Sequence, residues 1–166
     1  MKILDSSVMI AISNEIKCPE LIEKIGLLGH VLAIPSYIVK HELLDKNSSK
    51  ITEMYVQNGK IQILNENTAE EILAFQKKFS MLYVGMGECY SMLAYQKLRA
   101  TGKQVYCILD DYKARKKATK LGIKFTGLIG LLLMMKQKDI MSGYEFDKVV
   151  KLLKDSNFRF PTDVAM

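Results

Sequence analysis

The chain has 166 residues, 49% hydrophobic and 25% charged, which excludes a disordered polymer and allows one domain burying ~70% of its unfolded surface. Lys plus Arg number 24 and Asp plus Glu 18, a net charge of +6 that admits a polyanionic partner without requiring one. Cys18, Cys89 and Cys107, scattered and odd in number, with only two histidines, argue against a disulfide framework or a zinc site. They read as reduced core thiols of a cytoplasmic protein. The opening Met1-Lys2-Ile3-Leu4-Asp5 meets a carboxylate too early for a secretory signal. The longest apolar run, Leu128–Met135, falls well short of the ~20 residues of a membrane span. A single domain over 1–166 with no membrane partner is expected.

In chain order, Lys2–Asp5 is short and apolar, and Asp5-Ser6-Ser7 caps a helix predicted over Val8–Glu15. Cys18-Pro19 opens a second helix, Glu20–Leu28, which Gly29 stops. Val31–Ile34, bounded by Gly29 and Pro35, reads as a buried strand, and Pro35-Ser36 starts a helix through Leu44. Asn47-Ser48-Ser49 is predicted as a loop, followed by a helix over Ile51–Gln57 that Asn58-Gly59 closes. Lys60–Leu64 alternates like a strand. Thr68 begins a helix with Glu70 and Glu71 in its dipole-favoured first turn. Beyond Gly85 and Gly87 a helix is predicted over Glu88–Ala100, then a strand over Gln104–Leu109. A helix over Tyr112–Leu121 and a strand over Ile123–Phe125 come next. Helices near Leu128–Gln137 and Tyr144–Lys154 close the chain.

Strands alternating with helices, and lacking long polar faces, specify a mostly parallel sheet covered on both sides, an α/β sandwich. Ligands of such sheets bind at the carboxyl ends of the strands, where chain order reverses. Asp5 follows the first strand, Asp110 and Asp111 follow Val105–Leu109, Glu88 opens a helix and Glu42 borders the core in the helix behind Pro35. Singly, each has an ordinary explanation: Asp5 and Asp111 as helix caps, Glu88 as a first-turn dipole partner, Glu42 as an i,i+4 partner of Lys46. Together they form a set of carboxylates whose mutual repulsion a divalent cation would relieve. Oxygen ligands without His or Cys suit Mg²⁺ or Mn²⁺, and such ions serve phosphodiester hydrolysis.

Asp5-Ser6-Ser7, Glu42, Gly87-Glu88 and Leu109-Asp110-Asp111-Tyr112-Lys113-Ala114-Arg115 together resemble a PIN-domain nuclease. The run from Asp110 through Ala118, with Leu121-Gly122 and Thr126-Gly127-x-x-Gly130, is similar to a prokaryotic PIN subfamily predicted to bind nucleic acid. The resemblance spans nearly the whole chain, to Asn157-Phe158-Arg159-Phe160. It implies a three-layer α/β/α sandwich with about five parallel strands. It also implies a Mg²⁺- or Mn²⁺-dependent endoribonuclease, often the toxin of a toxin–antitoxin pair, with RNA as substrate, an antitoxin as partner and a homodimer as assembly. Carried over residue by residue, the metal-site acids are Asp5, Glu42, Glu88 and one of Asp110 or Asp111. Asp111 is favoured for the metal, with Asp110 shaping the pocket or gripping Arg115. Ser6 falls where a small polar supporting residue is common. Relatives carry a second acid two residues after Glu88, where this chain has Tyr90.

Lys113, Lys116, Lys117 and Lys120 recur at helical spacing opposite an apolar stripe of Ala114, Ala118 and Leu121. They read equally as a solvated face or as a phosphate-binding ridge. Arg115, beside the paired aspartates, is the better phosphate-binding candidate. The aromatic residues show no interleaving that would mark a base-stacking platform. The competing reading is a non-catalytic nucleic-acid-binding or regulatory module on the same fold. A cofactor-binding doubly wound enzyme is disfavoured, since the chain has neither a Walker loop nor G-x-G-x-x-G.

Overall fold

The computed structural model describes residues 1–65 and 67–160. Five short strands, β1 (Lys2–Leu4), β2 (Leu32–Pro35), β3 (Ile61–Leu64), β4 (Tyr106–Ile108) and β5 (Phe125–Thr126), form one sheet in the order β3-β2-β1-β4-β5. Every pairing is parallel, with Ile3 opposite both Ala33 and Cys107. Parallel neighbours need crossovers, which the intervening helices supply. The order reverses beside β1, so the switch point, where sheets of this kind bind their ligands, lies between β1 and β4.

Alternation along the strands divides the core. Leu4, Ile34 and Ile108 face one apolar layer, built with α1 (Ser6–Ile10), α2 (Leu21–Gly26), α8 (Leu128–Gln137) and α9 (Gly143–Lys154). Ile3, Ala33 and Cys107 face the other, built with α5 (Ala69–Phe79), α6 (Met86–Ala100) and α7 (Tyr112–Lys120). Successive strand residues point to opposite faces, so a sheet covered on both sides reads as a continuous apolar run. This is the expected three-layer α/β/α sandwich. Among the described residues no helix is long and apolar enough to cross a membrane. The three cysteines are free; Cys89 and Cys107 are buried, whereas Cys18 is only half-buried and donates to Glu20 Oε1 at 3.0 Å.

Several predicted elements differ, and the last strand lies at Phe125–Thr126 rather than Ile123–Phe125. The first helix does not run as one α-helix to Glu15: after Ile10 it widens into a π-helical stretch, Ala11–Glu15, with Ile16 N–H bonded to Ala11 O at 3.0 Å. The helix behind Pro35, α3 (Ser36–His41), ends before Leu44; the N–H groups of both Glu42 and Leu43 share the Ile38 carbonyl. Asn47-Ser48-Ser49 is not a loop but the first turn of α4 (Lys46–Gln57). Asp45 caps it, accepting from Asn47 N–H at 3.1 Å and Ser48 N–H at 2.8 Å. Polar residues that look like a loop are here satisfying the orphan donors of a helix start.

Candidate active site

β1 delivers Asp5 to the switch point, and burial there is complete: the residue is 1% exposed. Asp5 occupies the N-cap position of α1, yet its side chain makes no cap bond. Its Oδ2 accepts from Ser7 Oγ at 2.8 Å, while Oδ1 is buried without a hydrogen-bond partner. A buried carboxylate oxygen left unpaired is costly, and at a cap position it had an ordinary alternative. Burial, with the Glu88 carboxylate facing it and Glu42 beyond, pushes the Asp5 pKa up to about 8.

Glu42 and Glu88 meet at the start of α6. The N-terminus of this 15-residue helix offers unpaired N–H groups and the positive end of a dipole. Glu42, just past the end of α3, reaches across to accept from Gly87 N–H at 2.8 Å through Oε1. The approach depends on glycine: a Cβ at Gly87 would stand 2.7 Å from Glu42 Cδ. Glu88 folds back over Gly85, where a Cβ would stand 3.0 Å from its Cδ. Burial, together with repulsion from Glu42 and Asp111, raises the Glu88 pKa.

The adjacent aspartates after β4 separate. Asp111 caps α7, accepting from Ala114 N–H at 2.8 Å, and its charge bears on Glu88. Asp110 turns to the start of α8, where Leu128 N–H lies 3.1 and 3.2 Å from its two oxygens. Desolvation of the Asp110 carboxyl pushes its pKa up to about 6, against the pull of that N–H and of Arg115. A Cβ at Gly127 would overlap Asp110 and stand 2.9 Å from an Arg115 guanidinium nitrogen, so the two side chains share one corner. Arg115 also sits over the Phe125 ring at 5.8 Å.

Asp5, Glu42, Glu88 and Asp111 are thus electrostatically linked, and Asp110 belongs to the neighbouring corner with Arg115. Ser6 supports Asp5 through its backbone; the hydroxyl that holds the carboxylate is that of Ser7, which sequence reasoning missed although it stood in the same Asp-Ser-Ser run. Tyr90 stacks on Tyr37 with ring centroids 4.4 Å apart and planes 9° apart. Sequence reasoning also missed an aromatic cluster: Tyr112, Phe158 and Phe160 converge on one cavity with Asp110, Asp111 and Arg115. Residues more than forty positions apart carry no stacking pattern, so nothing in the sequence marked it.

Among the described residues no three Asp, Glu, His or Cys side chains stand close enough to form a ready-made metal cage. The donor set nonetheless fits a hard cation: oxygens only, one of them buried and unpaired, with mutual repulsion that a divalent charge would cancel.

An all-parallel α/β sandwich binds its ligands at the switch point, and here carboxylates gather there. A family model described as a PIN domain matches residues 1–166, and the chain belongs to the PIN-domain family. PIN domains are generally nucleases and divalent-metal dependent. Among curated proteins none matches this chain.

Proposed function

We infer that the protein is a Mg²⁺- or Mn²⁺-dependent endoribonuclease whose ion is held by Asp5, Glu42, Glu88 and Asp111. The observation that carries this reading is Asp5: wholly buried, unpaired at Oδ1, and set against two further carboxylates. A protein gains nothing in stability from such an arrangement unless something positive enters it. The chemistry such an ion supplies when bound is charge neutralisation at the phosphodiester and a more acidic attacking water.

The chain's own residues orient that site. Ser7 fixes the Asp5 rotamer by holding Oδ2 and leaves Oδ1 for a ligand. Gly87 N–H fixes Glu42, and Ala114 N–H fixes Asp111. Arg115, anchored near Asp110, presents a guanidinium beside the acids, where it grips a phosphate. The net charge of +6 and the lysines of α7 beside the acids draw in a nucleic-acid backbone.

The test is cleavage of defined RNAs with Mg²⁺ or Mn²⁺ by wild type, Asp5→Asn and Glu88→Gln, alongside Mn²⁺ titration calorimetry. Wild type should cut, and both variants should lose cutting and Mn²⁺ binding together. RNA binding without cleavage by wild type would establish the non-catalytic alternative. A toxin role, with an antitoxin as partner, predicts that expression of wild type but not Asp5→Asn arrests growth. A homodimer predicts twice the chain mass by light scattering.

A further inference from the structure

Beside the acidic crevice lies a cavity of about 460 Å³, within the ~300–1,000 Å³ range of small-ligand sites. One wall is α1 and the π-helical stretch, the second is the start of α7, and the third is the segment after α9. That third wall is fastened: Asn157 N–H donates to Glu15 Oε2 at 3.2 Å, and Phe158 and Phe160 pack on the core with ring centroids 5.4 Å apart.

We propose that this cavity takes one unpaired nucleobase of the RNA, seated against Tyr112, Phe158 and Phe160 next to Asp111. The proposal rests on the ribonuclease reading and deepens it by assigning a strand-recognition subsite. Its chemistry favours a base over a phosphate. Glu15, Asp110 and Asp111 line the cavity together with Arg115 and Arg159, so a bare phosphate inside would face three carboxylates. A base instead donates amino protons to carboxylates, accepts from the Arg159 guanidinium at its ring nitrogens and carbonyls while Arg115 meets the phosphate, and offers a face to aromatic rings.

Position supplies the second argument. Asp111 lines the cavity and also bears on Glu88, so a nucleotide with its base here sets its phosphate at the acidic crevice. Tyr112 is shared with a second hollow on its far side, lined by Lys113, Lys116, Lys117 and Lys120. The flanking backbone therefore has a cationic path away from the cavity. Only a base free of its complement enters, so single strands are selected.

The experiment measures anisotropy of a labelled single-stranded hexaribonucleotide, an abasic oligomer of equal charge and a duplex of the same sequence. The full chain is used in EDTA, where nothing is cut. Wild type should bind the hexamer about fivefold or more tighter than the abasic oligomer, the low end for one stacked base. It should also bind the hexamer tighter than the duplex. Phe158→Leu, which keeps apolar bulk but removes the ring, and the exposed Tyr112→Ala should each reduce that preference and leave abasic binding unchanged. If Phe158→Leu lowers the melting temperature, Tyr112→Ala carries the test. Base-independent binding by wild type, equal binding of duplex, or variants that weaken both oligomers alike would overturn the subsite. Cleavage of RNA with base-independent binding sinks the subsite alone; base-dependent binding without metal-dependent cleavage sinks the nuclease reading alone.

Discussion

Asp5 is the buried carboxylate on which the electrostatics of the crevice bear most. Its ordinary pKa near 3.8 is raised to about 8 by burial and by Glu88, so the folded chain holds a proton that the unfolded chain releases. Stability from this group is full below pH ~4, declines as pH rises and is lost above pH ~8. Asp5→Asn cannot ionise. In EDTA its melting temperature should match wild type near pH 4 and exceed it at pH 8 by about 2–4 °C per kcal/mol relieved. Calorimetric scans at both pH values check this; a variant less stable at pH 8 would show that Asp5 is not under electrostatic strain. Mn²⁺ should raise the wild-type melting temperature and leave the variant's unchanged, because only a bound ligand stabilises the folded state. Gly87 is the second residue on which the site turns. Gly87→Ala puts a methyl into the Glu42 carboxylate and should cut RNA cleavage by up to about 100-fold, the cost of ~1 Å misplacement, while Mn²⁺ affinity falls with it. Unchanged cleavage would remove Glu42 from the site.

At the scale of elements, helix ends do the positioning. The start of α6 collects Glu42 and Glu88, that of α7 holds Asp111, and that of α8 holds Asp110. Three dipoles thereby anchor four acids that would otherwise scatter by repulsion. The start of α4 uses the same physics for stability alone, since Asp45 satisfies two N–H donors. Asp45→Ala should cost about 1 kcal/mol, read by urea unfolding, with cleavage unaffected. A change in cleavage would mean that α4 holds the crevice in shape. The polar triplet Asn47-Ser48-Ser49 was illegible as helix for a physical reason: Asn47 donates to Ser13 O at 2.6 Å and Asn14 Oδ1 at 3.0 Å, contacts from the π-helical stretch that no local pattern records. The same stretch was illegible because widening a helix by one residue leaves its apolar spacing nearly intact.

Across the whole molecule, two charged features lie side by side. The acids converge inside the crevice, while α7 presents Lys113, Lys116, Lys117 and Lys120 to a hollow beside it. Under the ribonuclease reading proposed above, the lysine row would steer the polyanion and the acids would take the cation. Single-strand binding should weaken linearly in log–log terms with salt, by ~0.7 per phosphate contact. Lys116→Ala with Lys120→Ala should flatten that slope by about 1.4 if both lysines touch phosphate, measured by anisotropy across a salt series. An unchanged slope would return the lysines to a plain solvated face.

Architecture and candidate acids were legible in the order of residues alone. Buried parallel strands write themselves as apolar runs between helices, and a switch-point crevice must be lined by the residues just past the strand ends, so Asp5, Asp110 and Asp111 stood out. Glu42 and Glu88 were candidates too, one bordering the core and one opening a helix, but only resemblance to the family joined them to the metal-site acids, because a residue's place on a helix does not say which strand end it faces. How these residues divide their work emerged only from their packing. The β4–α7 turn parts Asp110 from Asp111, sending one to Leu128 and Arg115 and the other toward Glu88. The Asn157–Glu15 bond, between residues 142 positions apart, holds Phe158 and Phe160 at the cavity that Tyr112 also lines. Local pattern specifies elements because propensity and capping act over a few residues; a site is specified by packing, which joins residues that the sequence keeps far apart.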